Sequence, residues 1–159
     1  MSTETLVRKC EQYWPEIDQQ CAFGDLTVKN TSEERVEYIS GLIVRSLKVT
    51  NRSNECQEFT QYQYTNWPES WDSANLKSLI ELVDLVRRQS PSRESYNLVH
   101  CSGGAGRTGT FIGIYWIMDM IDKGAEKINV FNTVLEMRRQ RPQMVRMHFL
   151  LPGSKNANP

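Results

Sequence analysis

One stretch limits this chain more than any other: His100-Cys101-Ser102-Gly103-Gly104-Ala105-Gly106-Arg107-Thr108-Gly109. Five small residues separate Cys101 from Arg107. Tyr96 to His100 reads as a short apolar strand before it, and an apolar helix from about Thr108 to Asp122 follows, ended by Gly124. Residues this small let the backbone curl until successive N–H groups point inward as a nest for an anion. The helix start adds positive potential. Such a field lowers the pKa of Cys101 toward the reactive thiolate. The planar fork of Arg107 matches two oxygens of a phosphoryl group. The predicted arrangement is a phosphate cradle with a nucleophile at its floor.

Two other readings of the loop explain less. A phosphate loop of the G-x-x-x-x-G-K-[ST] type needs a lysine, and the loop has none. Gly104 to Gly109 also fits G-x-G-x-x-G, but a dinucleotide site needs an acidic residue ending a second strand about 20 positions on. Glu126 is the candidate, and it lies between two helical patterns. A plain glycine-rich turn with a buried cysteine accounts for neither the arginine nor the spacing.

The rest of the chain sets the context. Its 159 residues suit one domain, with 1–150 as the folded part and 151–159 as a polar tail. Lys+Arg and Asp+Glu both number 19, so nothing supports general nucleic-acid binding, and a bound anion must be held locally. The most apolar stretch, Phe111 to Ile121, is 11 residues, too short to span a bilayer. Charges at Glu4, Arg8, Lys9 and Glu11 leave no signal-peptide core, so a cytoplasmic location and free thiols are expected. Asn30-Thr31-Ser32 and Asn51-Arg52-Ser53 then read as polar turns rather than glycosylation sites. The four cysteines form no C-x-x-C pair, so no metal site is expected.

Residues 1–35 are mixed and polar. Tyr38 to Val49 is β-branched, Asn51 to Asn54 reads as a turn, and Glu58 to Thr65 alternates aromatic and polar residues. That pattern predicts an antiparallel hairpin. After Pro68, Leu76, Leu79, Ile80, Val83 and Val86 fall at helical spacing, and Ser90-Pro91 stops the helix. A last helix over Val130 to Arg141 points Val130, Phe131, Val134 and Leu135 inward, with Pro142 as its stop. The predicted class is α/β (α+β), a twisted mixed sheet flanked by helices.

His-Cys-x5-Arg-Thr-Gly resembles the signature of the cysteine-based protein tyrosine phosphatase family. Lys9-Cys10-Glu11-Gln12-Tyr13-Trp14-Pro15 is similar to the family's K-C-x-x-Y-W-P, and Phe23-Gly24-Asp25 with the following strands fits in order. Phe59 to Pro68 resembles the strand leading into its W-P-D loop. Met137-Arg138-Arg139-Gln140-Arg141-Pro142 with Met144-Val145 resembles its late M-R-x-Q-R-x-x-M-V helix. The resemblance implies a phosphatase-like fold and a phosphotyrosine-containing protein or peptide as partner, with no metal or organic cofactor. It implies that Cys101 attacks phosphorus to form a cysteinyl phosphate. Backbone N–H groups of Ser102, Gly103, Gly104, Ala105, Gly106 and Arg107, with the Arg107 side chain, would hold the phosphoryl oxygens. Thr108 would bond the leaving thiolate, and His100 would order the loop.

The chain also departs from the family. Trp67-Pro68-Glu69 stands where the family has W-P-D, so Glu69 becomes the expected general acid. Its extra methylene moves the carboxyl about 1.5 Å, a misplacement that can cost on the order of 100-fold. Asp72 in Ser70-Trp71-Asp72 is a weaker substitute. Arg146-Met147-His148-Phe149 replaces the family's Q-T-x-x-Q, whose glutamines position water, and Gln143 lies too early to stand in. The resemblance leaves the domain incomplete at both ends, without the segment bearing the phosphotyrosine-stacking aromatic and without strands to flank Tyr96–His100. Three expectations follow: a phosphatase, slow at the second step; an impaired module that captures phosphotyrosine without turnover; or a chain that folds only with a partner supplying strands.

Overall fold

Alternation of β-branched and aromatic residues with polar ones gives the longest-range order in the first part of the chain. In the computed structural model, which describes residues 11–67, 73–89 and 96–145, it produces an antiparallel sheet of four strands in chain order. β1 is Gln20–Phe23, β2 Leu26–Arg35, β3 Leu42–Thr50 and β4 Cys56–Tyr64. Three helices follow: α1 Ser73–Gln89, α2 Gly106–Asp122 and α3 Val130–Gln140. The chain divides into two compact units, 1–82 and 83–159.

The expected hairpin is β3 and β4, running in register from Leu42 opposite Tyr64 to Thr50 opposite Cys56. Its turn closes where the Asn51 side chain accepts from the Glu55 N–H at 2.9 Å. Asn54 takes the left-handed conformation, which asparagine tolerates better than most residues. β2 has no apolar stripe, and its backbone pairing with β3 holds it in place. The register shifts between Asn30 and Ser32, and Asn30 there is fully buried, its amide donating to the Pro15 carbonyl. Ile39, Leu42, Ile43 and Leu47 are buried in this unit, as are Leu79 and Leu82. So is Arg45, whose guanidinium donates to Glu33, Gln61 and Gln63 and lies 4.8 Å from the Trp14 ring centre.

Four local expectations change. The α+β class stands, but the sheet among the described residues is antiparallel rather than mixed. Tyr96–His100 is extended without being a strand. A strand exists only where a neighbour takes its N–H and C=O groups; Tyr96 is fully exposed and Leu98 is 91% exposed. The buried face of α1 carries Leu79, Leu82, Val83 and Val86, leaving Leu76 and Ile80 half outside. On α3 the inward residues are Thr133 and Met137, while Val130, Phe131 and Leu135 face solvent.

The second unit is organised by Met137, Met144 and Val145, packed with Ile112 and Trp116 of α2 and Val134 of α3. Asn129 starts α3, its side chain accepting from the Asn132 N–H at 3.1 Å. Despite its apolar sequence α2 is only half-buried along most of its length. No helix among the described residues is long and apolar enough to cross a membrane.

Candidate active site

The glycine-rich loop of 101–105 leads directly into α2, and the way the helix starts defines the site. Ala105 occupies the N-cap position with φ −131° and ψ −57°, and no side chain caps the helix. The first turn holds no acidic residue. Its N–H groups, which normally need a capping oxygen, are therefore left to whatever lies at the loop centre. Gly104 turns the chain with φ +62°, a left-handed conformation that favours glycine.

The sulfur of Cys101 occupies that centre. Burial pushes the thiol pKa up. Hydrogen bonds from the Thr108 hydroxyl and from the backbone N–H groups of Thr108, Ala105 and Gly104 outweigh it, bringing the thiol down to about 7. Thr108 is buried, and its hydroxyl makes no hydrogen bond of full geometry, although it lies close enough to the Cys101 sulfur to lower the thiol's pKa. A buried hydroxyl normally finds an acceptor. The thiolate fills that role, so Thr108 is satisfied when Cys101 is charged.

The carbonyl oxygens are held on the other side of the loop. The Ala105 carbonyl accepts from the Gly109 N–H at 3.0 Å and from the Val145 N–H at 3.2 Å. The Gly103 carbonyl accepts from the Arg141 guanidinium at 3.4 Å. A Cβ on Gly109 would lie 2.6 Å from the Val145 nitrogen, so only glycine admits the 144–145 segment this close.

The structure thus brings Cys101, Gly104, Ala105 and Thr108 together. Ser102, Gly103 and Arg107 are exposed at the rim, and Gly106 is the first residue of α2. The His100 ring is exposed, with Nδ1 3.4 Å from the Cys101 carbonyl. Glu69, Asp72 and 146–149 lie outside the described residues. Gly109, Arg138, Arg141 and Val145 were not picked out as site residues from sequence, although three of them stand in the late motif that resembles the family.

The family model for protein-tyrosine phosphatase matches residues 1–150. The chain belongs to the protein-tyrosine phosphatase family. It is 38% identical over 139 residues to human receptor-type tyrosine-protein phosphatase alpha, covering 86% of this chain and 17% of that protein. It is 31% identical over 141 residues to human receptor-type tyrosine-protein phosphatase-like N, covering 88% of this chain and 14% of that one. Among solved structures, the catalytic domain of human protein tyrosine phosphatase non-receptor type 18 superposes with a TM-score of 0.78 at 28% identity. The match covers 87% of this chain and 49% of that domain. The chain therefore spans less than a fifth of these receptor-type relatives and about half of that solved domain.

Proposed function

We propose that this phosphatase-family chain hydrolyses phosphotyrosine on proteins, with Cys101 as nucleophile. The observation that carries the reading is the Cys101 thiol held down to about 7 by inward N–H groups and the Thr108 hydroxyl. In the first step the Cys101 thiolate attacks phosphorus. The S–P bond forms, the P–O bond to the phenol breaks, and Glu69 supplies the proton to the departing oxygen. The uncapped N–H groups of the loop and the Arg107 guanidinium hold the three phosphoryl oxygens, whose charge they match best in the transition state. In the second step water attacks phosphorus, its proton passes to the Glu69 carboxylate, and the thiolate leaves toward Thr108. His100 steadies the loop beside Cys101. The tyrosine preference rests on the family resemblance. A thiolate nucleophile is readily oxidised and a reducing compartment protects it, which supports a cytoplasmic location.

The test is to mix the chain with an aryl phosphate, quench in acid and map the peptides by mass. A phosphoryl group on the peptide carrying Cys101, absent in Cys101→Ser, is the expected result. Phosphopeptide bound without any phosphocysteine would replace turnover with capture, and neither binding nor phosphocysteine would refute both.

A further inference from the structure

We propose that Arg138 is a positioning residue for Cys101, acting through the 143–145 segment and not through contact with the substrate. Arg138 lies on α3, one residue past the buried Met137. Its Nε donates to the Met144 carbonyl at 2.8 Å and its Nη2 to the Val145 carbonyl at 2.7 Å. Those two bonds hold a segment that does not hold itself. Gln143 and Val145 have φ of 68° and 55°, the left-handed region, which is costly for a β-branched residue such as valine. Released, Val145 would relax out of it.

What the segment does is visible at its N–H. With Arg138 fixing the Met144 carbonyl, Val145 turns its N–H onto the Ala105 carbonyl at 3.2 Å. A peptide unit is rigid, so a carbonyl tied outward fixes the direction of the N–H on the next residue. Holding the Gly103 oxygen on the outside turns the Gly104 N–H toward the sulfur, and holding the Ala105 oxygen anchors the residue whose own N–H bonds the sulfur. Arg141 supplies the second hold, its Nη2 on the Gly103 carbonyl. The chain of restraint runs from Arg138 to Val145, to Ala105, to the amides that hydrogen-bond Cys101. The ionisable groups of the loop and of the side chains that hold it are His100, Arg107, Arg138 and Arg141; elsewhere α2 carries Tyr115, Asp119 and Asp122, and α3 carries Glu136 and Arg139. The forces setting the thiol are burial and hydrogen bonds, so the arginines act on it through geometry.

The inference rests on the reading of Cys101 as a thiolate nucleophile, and the test separates the two. Alkylation of Cys101 by iodoacetamide is followed across pH by peptide mapping of the full chain, with no phosphate substrate. The wild-type midpoint is expected near 7. Arg138→Met is expected to raise it by about one unit. Arg138→Lys is expected to restore only part, because a single ammonium does not span two carbonyls as the guanidinium fork does. An unmoved midpoint in Arg138→Met, or full restoration by lysine, would overturn the inference and leave the nucleophile reading intact. A wild-type midpoint at the ordinary thiol value of about 8.5 would overturn both. Should Arg138→Met fail to fold, Arg138→Lys decides the matter: a midpoint raised above wild type is expected, and an unmoved midpoint would sink the proposal.

Discussion

Thr108→Val probes the site with the smallest change of shape. Valine keeps the volume of threonine and removes the one side-chain donor to the Cys101 sulfur, leaving the backbone donors in place. A hydrogen bond to a charged group contributes about 1.5–3 kcal/mol. Cys101 is only half-buried, and solvent screens part of that, so the low end applies. That is about 1.4 kcal/mol, or about one pH unit in the thiol midpoint. The midpoint of alkylation should therefore move from about 7 to about 8. At pH 6.5 the thiolate fraction then falls from roughly a quarter to roughly 3%. The rate falls less, by about threefold, because intrinsic nucleophilicity rises about threefold with each pH unit. The plateau at high pH rises by that same factor of about three. Stability responds with a definite sign. The folded thiol lies below its unfolded value, so its contribution is full above the unfolded pKa and is lost as pH falls through about 7. Below that, Thr108 buries a hydroxyl with no acceptor, and valine costs nothing or stabilises. Thermal melts at pH 6 and pH 9 check it: Thr108→Val should be the weaker fold only at the higher pH. An unchanged alkylation midpoint would refute the assignment of the hydroxyl as a donor to sulfur.

Three further outcomes follow from the same geometry. Gly109→Ala drives a methyl into the Val145 backbone nitrogen, so overpacking costs about 1–3 kcal/mol, against which alanine regains up to about 1 kcal/mol of helix propensity; chemical denaturation should show net loss, and a stabilised variant would mean the 144–145 segment does not lie there. Arg45→Met leaves Glu33 beside a neutral side chain, at a cost of about 3 kcal/mol because Glu33 still reaches solvent; a denaturation midpoint equal to wild type would show the buried arginine to be idle. Glu69→Asp restores the family's acid and should raise aryl phosphate turnover by up to about 100-fold; an unchanged rate would remove Glu69 from the acid role.

The residues proposed to face the phosphate were legible because their chemistry is local. Small residues, a cysteine and an arginine within one loop report themselves through spacing, and they place the start of α2 to within two residues, expected at about Thr108 and found at Gly106. The β3–β4 hairpin was legible from the alternation of aromatic and polar residues along Glu58 to Thr65, a pattern that suits a strand even though burial along β4 does not alternate. β2 was not, because Leu26–Arg35 is held by backbone bonds to β3 and has no need of an apolar stripe. The inward faces of α1 and α3 were misplaced where several apolar residues compete and only packing chooses among them, as with Met137 over Leu135. The part proposed for Arg138 was hidden for a different reason. It depends on carbonyls at 144 and 145 and on an N–H reaching Ala105, and backbone groups leave no mark in sequence.

The most direct measurement is the hydrolysis of an aryl phosphate by the purified 159-residue chain, with Cys101→Ser as the blank. The account predicts turnover that disappears in the blank, which would show that the loop forms within this chain and that Cys101 carries the reaction. Turnover that survives in Cys101→Ser, or no turnover from a chain that melts cooperatively, would contradict it.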